Sequence, residues 1–390
     1  VVTSLVLFGS IIGFFTKYEH IVSLEGALSH NLILGFMGIA LSLFLTLYLL
    51  VKPASFATPC PGAEELSRAV AVVGSSTSSL ASLAFLGDKA LLFSESGRSF
   101  VMYGVRGRSW VSMGDPVGDP GEVNELIWKF REICDQQDGV PVFYEVDRRY
   151  LDQYIELGLG FLKIGEEGKV GLGTFSTAGK ENQGLRYTMN KLSREGCQFE
   201  VVPRGSVGPL IPELSRVSDS WLREKKAAEK AFSLGRFEPS YLDRFDIAVV
   251  RKDGVVIAFA NLWTSGGKAE LRVDLMRYAP DSPHGLMDFL FVSLMEYGKA
   301  SGFGHFNLGI APLSGFEYHP LASRWDKICH YIYNYVENIY GFKGLRKYKE
   351  KFRPVWSPVY IALPVTILAP WHIFKIALLA SSGLRGIFLK

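Results

Sequence analysis

The sequence lacks the signatures that identify most enzymes at sight. It has four cysteines, Cys60, Cys134, Cys197 and Cys329, widely spaced and with no CxxC. That spacing argues against a zinc site and against a disulfide scaffold, and it fits a reducing, cytosolic setting. The seven histidines are scattered without ligand spacing. There is no P-loop, no GxSxG elbow and no HExxH, so neither a metal nor a cofactor is expected. The formal net charge is only +3, so overall charge selects no partner. Val1 to Phe15 is apolar but has no initiator Met and no basic n-region. It reads as the end of a spanning helix rather than a signal peptide.

Asn31 to Val51 carries no charged residue and has the roughly 20 apolar residues a bilayer crossing needs; a buried core helix is the alternative. Thr16 to His30 holds Lys17, Glu19, His20 and Glu25 and reads as a short extramembrane loop. Residues 1–51 are therefore expected to be the end of a transmembrane region of a larger polytopic protein, through which a homo-oligomer could form. Basic residues near the span are few, so its orientation rests on the cytosolic chemistry argued above. Residues 52–66, which include PASFATPCPGAE, read as a linker.

The remainder divides into two similar α/β units, 67–196 and 197–390. In the first, the runs LLFS, SFVMYGV and SWVSM are strand-like and are separated by turns containing Gly. Leu126, Ile127, Phe130 and Ile133 give Glu122 to Gln137 a helical period. Strands are predicted at Val140 to Val146 and, after a second helix, at Phe161 to Gly165. The second unit repeats the order. Ile247 to Lys252, Val255 to Leu262 and Ala269 to Leu275 form a meander, Gly285 to Lys299 a helix, and His305 to Leu308 a strand. Meander, helix, strand, helix is the order of GNAT-like acyltransferases. The expected fold is thus α/β, with tandem GNAT-like acyltransferase units preceded by transmembrane helices and a cleft between the units.

Four polar clusters fall where strands end. In MGDPVGD, a tight turn holds Asp115, as a rigid functional carboxylate or only as part of a turn. In FYEV, Glu145 interrupts an apolar strand and must be paired or face a cleft. In ELRVDLMR, Arg277 can turn back toward Asp274; the pair would orient a hydroxyl and bind a phosphate, or form a structural salt bridge. In SDSWL, Ser218 or Asp219 can cap the charged helix that leads to FSLGRF and Arg236.

Gly341 to Tyr360 concentrates Lys343, Arg346, Lys347, Lys349, Lys351 and Arg353 among Phe342, Tyr348, Phe352 and Trp356, opposed within the stretch only by Glu350. Basic groups interleaved with aromatics suit the single-stranded end of an RNA, an anionic lipid surface, or simply a solvated helix face. The basic residue and Gly-x-Gly turn that cradle acetyl-CoA in typical GNAT enzymes are not evident. Another acyl donor is needed, and an aminoacyl ester on a tRNA fits the basic tail.

With MGDPVGD, FYEV, SDSWL, FSLGRF, DLMR, GLMDFLF, FNLGIAPLSG and GLRKYKEKFRPVWSP in this order, the chain resembles the C-terminal part of the bacterial multiple peptide resistance factor family, the aminoacyl-phosphatidylglycerol synthases. The resemblance implies transfer of lysine or alanine from aminoacyl-tRNA to a glycerol hydroxyl of phosphatidylglycerol. Such transfer lowers the negative charge of the inner membrane and gives resistance to cationic antimicrobial peptides. Asp274 and Arg277 fall on the family's functional Asp and Arg, expected to serve hydroxyl activation and the lipid phosphate. Glu145 is the candidate for the ammonium group, and Asp115, Arg236 and Asn307 are further substrate-binding candidates. Lysine is favoured because Glu145 or the Glu166–Glu167 pair could meet its side chain. A non-catalytic membrane-anchored RNA- or lipid-binding module and a peptidoglycan-type aminoacyl transferase are the rival readings.

Overall fold

The computed structural model describes residues 58–316, 323–335, 342–364 and 369–380, together with Gly35, Gly38, Ile39, Ser42 and Leu43. The chain divides into Val1–Ser55 and the compact unit Phe56–Lys390. In the first of these the five described residues are helical; otherwise the expected spans at 1–15 and 31–51 lie outside the described residues. Among the described residues, no helix is long and apolar enough to cross a membrane.

One mixed sheet runs through the compact unit. Its first strands are β1 (Ala90–Phe93), β2 (Ser99–Arg106), β3 (Ser109–Met113), β4 (Val117–Gly118), β5 (Val140–Val146) and β6 (Gly160–Gly171). The remainder are β7 (Cys197–Val202), β8 (Asp246–Lys252), β9 (Val255–Thr264), β10 (Glu270–Tyr278), β11 (His305–Pro312) and β12 (Val355–Leu363). They pair in the order β1-β2-β3-β5-β12-β6-β11-β10-β9-β8-β7, with β4 on β2. Each half contains one parallel pair, β3 with β5 and β10 with β11. A parallel pair needs a crossover, and the helices Val123–Gln136 and Leu286–Ala300 supply the two.

The mixed α/β architecture and the repeated meander, helix, strand order are those expected from the sequence. Val123, Leu126, Ile127, Phe130 and Cys134 bury one face of the first crossover helix against Tyr103, Trp110 and Phe143. The second crossover helix packs Leu286, Phe289, Leu290 and Leu294 against Ala258, Ala260, Leu262 and Leu271. The other face of the sheet holds a core common to both halves. Met102, Val111, Met113 and Val142 join Ile247, Val249, Phe259 and Trp263 there, under helices Ala63–Ser75 and Ile211–Lys225.

Four details differ from the sequence reading. Strand β6 runs on to Gly171, well past Gly165, because its central positions are covered on both sides by β11 and β12. Strand β12, the last in sequence, inserts between β5 and β6, within the first half. The helix Ala63–Ser75 starts inside the expected linker, where the Glu65 carboxylate accepts from Gly62 N at 2.9 Å. Ser218 and Asp219 do not cap a helix; they lie inside Ile211–Lys225, and Ser218 accepts a hydrogen bond from Arg277.

Candidate active site

A cleft of about 390 Å³ opens where the two halves of the sheet meet. Register builds its charged floor. Arg272 on β10 pairs with Asn307 on β11, which pairs in turn with Lys169 on β6. Laterally paired residues share a sheet face, and so do residues two apart along a strand. Glu270 therefore joins Arg272, and Glu167 joins Lys169, on the same surface. Lys169 Nζ lies 2.6 Å from Glu270 and 3.3 Å from Glu167, and Arg272 lies 3.3 Å from Glu167. Ser79 donates to Glu270 from the 3-10 segment Ser79–Leu86 above.

Glu145 enters this cleft from a β-bulge. The successive residues Tyr360 and Ile361 of β12 oppose Val146 and Tyr144, so Glu145 is the extra residue, with φ of 63°. A bulge re-aims the side chain it carries. Burial pushes the Glu145 carboxyl up to about 7, assisted by Glu167 and opposed by Arg272 and Lys349. Burial and then Arg272 push the Lys349 ammonium down to about 7, against Glu167 and Glu145. Lys349 is itself buried, with Nζ donating to the Ile310 carbonyl at 2.9 Å. Burial also acts to raise Glu270, but Lys169 and Ser79 outweigh it and hold the carboxyl low.

At the first-half end of the cleft, Asp115 accepts from Tyr154 Oη at 2.7 Å and from Asp147 N at 2.8 Å. Burial lifts its carboxyl to about 7 despite those bonds. Asn307 is buried, and its Oδ1 accepts from Gly309 N at 2.7 Å. Of the sequence candidates, Glu145, Asp115, Asn307 and Glu167 line the cleft.

Asp274 and Arg277 do not line it, and they do not pair with each other. Both belong to β10, with Asp274 in its bulge between Val273 and Met276. Asp274 accepts from Gly235 N at 2.8 Å, from Tyr241 Oη at 2.9 Å and from Asn261 Nδ2 at 3.5 Å. Gly235 is required for this approach, since a Cβ there would overlap the Asp274 carboxylate. Burial raises the Asp274 pKa, and the three donors only partly offset it. A chain of contacts joins this carboxylate to the cleft. The Arg272 guanidinium lies over the Trp263 ring at 5.5 Å, and Trp263 Nε1 donates to Tyr241 Oη at 3.1 Å. Tyr241 then donates to Asp274.

Arg277, only 4 % exposed, makes a bidentate pair with Glu229, both bonds at 2.7 Å, and donates to Ser218. Arg236 lies apart, paired with Glu238 at 2.9 Å. The fully buried Lys89 pairs with Asp88 at 2.5 Å, and Asp88 accepts from Phe232 N at 2.8 Å, which fixes the start of the FSLGRF segment.

The basic tail is largely neutralised. Arg346 pairs with Glu166 and Glu350 and stacks 3.8 Å over Trp356. Lys351 meets Asp288 at 3.1 Å, and Arg353 meets Glu181 at 3.4 Å. Lys343 is partly buried and Lys347 is exposed. The sequence reading passed over Lys169, Glu270 and Arg272. Their signal is the alternation Glu167-x-Lys169 on β6 and Glu270-x-Arg272 on β10, the two strands that flank β11. Among the described residues, no group of three or more His, Cys, Asp or Glu side chains is placed to hold a metal ion.

Two meander–helix–strand units joined through one sheet, with a charged cleft at the join, define a tandem acyltransferase-like architecture. Residues 68–363 match the model of the family described as phosphatidylglycerol lysyltransferase, C-terminal, and the chain belongs to that family. The phosphatidylglycerol lysyltransferase of Bacillus subtilis (strain 168) is 38 % identical over 285 residues, which are 73 % of this chain and 33 % of the relative. The chain thus spans about a third of the length of the curated relatives it matches. A crystallised C-terminal domain from Agrobacterium fabrum, provisionally named as a lysylphosphatidylglycerol synthetase, is 40 % identical, with a TM-score of 0.75. The match covers 83 % of this chain and 99 % of that one. L-PGS from Bacillus licheniformis is 35 % identical, with a TM-score of 0.72, covering 83 % and 98 %.

Proposed function

We propose that this chain transfers a lysyl group from lysyl-tRNA to a glycerol hydroxyl of phosphatidylglycerol, at the cytosolic face of a bacterial membrane. The carrying observation is the chain of contacts that joins a cleft lined by Glu145, Glu167 and Glu270 to the partly buried Asp274. A lysyl ester brings two ammonium groups, and Glu145, Glu167 and Glu270 are acceptors for them. Glu145, poised near 7, ionises when a cation arrives beside it.

The ester donor is already activated, so the chemistry is exchange of one alcohol for another. The glycerol oxygen attacks the ester carbonyl carbon while its proton passes to Asp274. A tetrahedral oxyanion forms, and it collapses with cleavage of the bond to the tRNA ribose. The departing ribose oxygen takes the proton. A carboxylate offers about four acceptor positions, and three donors already occupy Asp274, leaving room for one hydroxyl. Its raised pKa makes it a stronger base than an ordinary carboxylate. Arg277 is assigned to the lipid phosphate, for which its planar fork is suited.

Labelled lysyl-tRNA mixed with the full chain and phosphatidylglycerol tests the reading. Label in lipid supports it. Label only in a muropeptide precursor favours the peptidoglycan-type transferase, and no transfer at all favours a binding module. Competition with alanyl-tRNA tests the donor. A lysine pocket closed by carboxylates should discriminate by more than the ~1–3 kcal/mol that apolar contacts supply, and preferential alanine transfer would remove the ammonium role of Glu145.

A further inference from the structure

The helix Ala369–Ala380 lies over strands β2 and β3, and its two sides differ. The inner side is anchored. His372 Nδ1 and Ser109 Oγ are 2.8 Å apart, Ile376 is buried, and the Ala380 carbonyl accepts from Ala231 N at 3.1 Å. The outer side presents Trp371 at 50 % exposure and Phe374 at 37 %. Their rings are 5.6 Å apart, and Lys375 Nζ stands 4.4 Å from the centre of the Trp371 ring. The neighbouring β2–β3 turn adds exposed Arg106 and Arg108. Arg108 is paired with Asp138 at 2.5 Å, while Arg106 makes no ion pair among the described residues.

We propose that this face is a membrane-docking surface. Trp371 and Phe374 enter the interface of an anionic bilayer, with Lys375 and Arg106 against lipid phosphates. The choice of an anionic lipid rests on the proposed function. Aromatics beside basic residues on an amphipathic helix suit the interface between headgroups and acyl chains. Area favours lipid over a second copy of the chain. Two aromatic side chains bury ~150–250 Å² each even when fully covered, short of the ~800 Å² per partner that stable protein interfaces use. Docking here would hold the transfer site at a fixed height above the lipid it draws on.

Residues 56–390 are the suitable material, because they form their own compact unit and the corresponding Agrobacterium fabrum domain was crystallised by itself. This fragment is sedimented with vesicles of phosphatidylglycerol or of phosphatidylcholine. The expected result is binding to phosphatidylglycerol vesicles that falls roughly tenfold or more in a Trp371→Ser, Phe374→Ser variant of native circular dichroism. Lys375→Glu should weaken binding to phosphatidylglycerol vesicles and leave phosphatidylcholine binding unchanged. Unaltered vesicle binding by both variants overturns the proposal. So does a concentration-dependent dimer of the wild type that the double variant abolishes without any change in vesicle binding. Lysyl transfer to monomeric short-chain phosphatidylglycerol should persist in the double variant. If no form of the protein transfers lysine, the proposed reaction fails and the vesicle result stands by itself.

Discussion

Arg277 offers both Nη atoms to the Glu229 carboxylate, each at 2.7 Å, in the geometry a phosphate monoanion would take. Glu229 belongs to the irregular segment between helix Ile211–Lys225 and the short helix Pro239–Leu242. Its Oε2 also accepts from Phe237 N at 3.3 Å, so one carboxylate ties the arginine to the FSLGRF loop. A lipid phosphate bound by Arg277 would have to displace it or share the fork.

Glu229→Gln should therefore favour the phosphate-bound form. Without lipid, an uncompensated buried guanidinium should cost on the order of 3 kcal/mol and lower the melting temperature. Glycerophosphate should recover more of that loss in the variant than it adds to the wild type. Arg277→Ala should abolish transfer, and Arg277→Lys should not restore it, because an ammonium lacks the fork. Equal stabilisation of wild type and Glu229→Gln by glycerophosphate would detach Arg277 from the phosphate.

Asp274→Asn should reduce transfer by roughly 10²–10⁴-fold, the usual contribution of a positioned base, with the fold retained. Tyr241→Phe should reduce it less. It also removes a donor that holds the Asp274 pKa down, so the acid limb of the pH–rate profile should move to higher pH. A profile unchanged in Tyr241→Phe would exclude Asp274 as the titrating base.

Glu145 is raised to about 7, chiefly by burial. A carboxyl raised in the folded state costs stability as pH climbs from its unfolded value toward the folded one. Glu145→Gln should thus match the wild type near pH 4 and become the more stable protein by pH 7. The difference should be on the order of 2 kcal/mol once the partly open cleft is allowed for. Donor binding should weaken in the same variant. Urea denaturation at the two pH values measures the gap, and a gap that shrinks as pH rises would contradict the assignment.

The six basic residues of the tail should not behave alike. Lys347→Glu with Lys351→Glu changes the exposed Lys347 and the Asp288-paired Lys351, so it should mainly alter the salt dependence of tRNA binding. Lys349→Met removes the cation buried beside Glu145 and Glu167 and should lower kcat/KM by roughly 10²-fold with little change in that salt slope. Filter binding across a salt series, set against single-turnover rates, separates the two effects.

Much of the architecture was legible because it rests on local periods. The nearly continuous apolar runs of β2, β3 and β9 and the 3.6 spacing of Leu126, Ile127 and Phe130 are properties of neighbours in sequence. A carboxylate interrupting the apolar run at Glu145 was enough to place it at an opening, although the bulge that aims it was not visible. The alternations Glu167-x-Lys169 and Glu270-x-Arg272 stand in the sequence, but the row Arg272, Asn307, Lys169 exists only through the pairing of three strands.

By itself, the sequence determined the two repeated units, the tight turns, the crossover helices and the anomalous carboxylates, because each depends on chain neighbours within a few residues. The tertiary structure decided the rest. It set β12 between β5 and β6, turned Lys349 inward while its neighbour Lys347 stayed in solvent, and gave Arg277 a partner at Glu229 rather than at nearby Asp274. Such partners depend on strand register and on which buried charges can be compensated, and both are set by packing across the whole sheet.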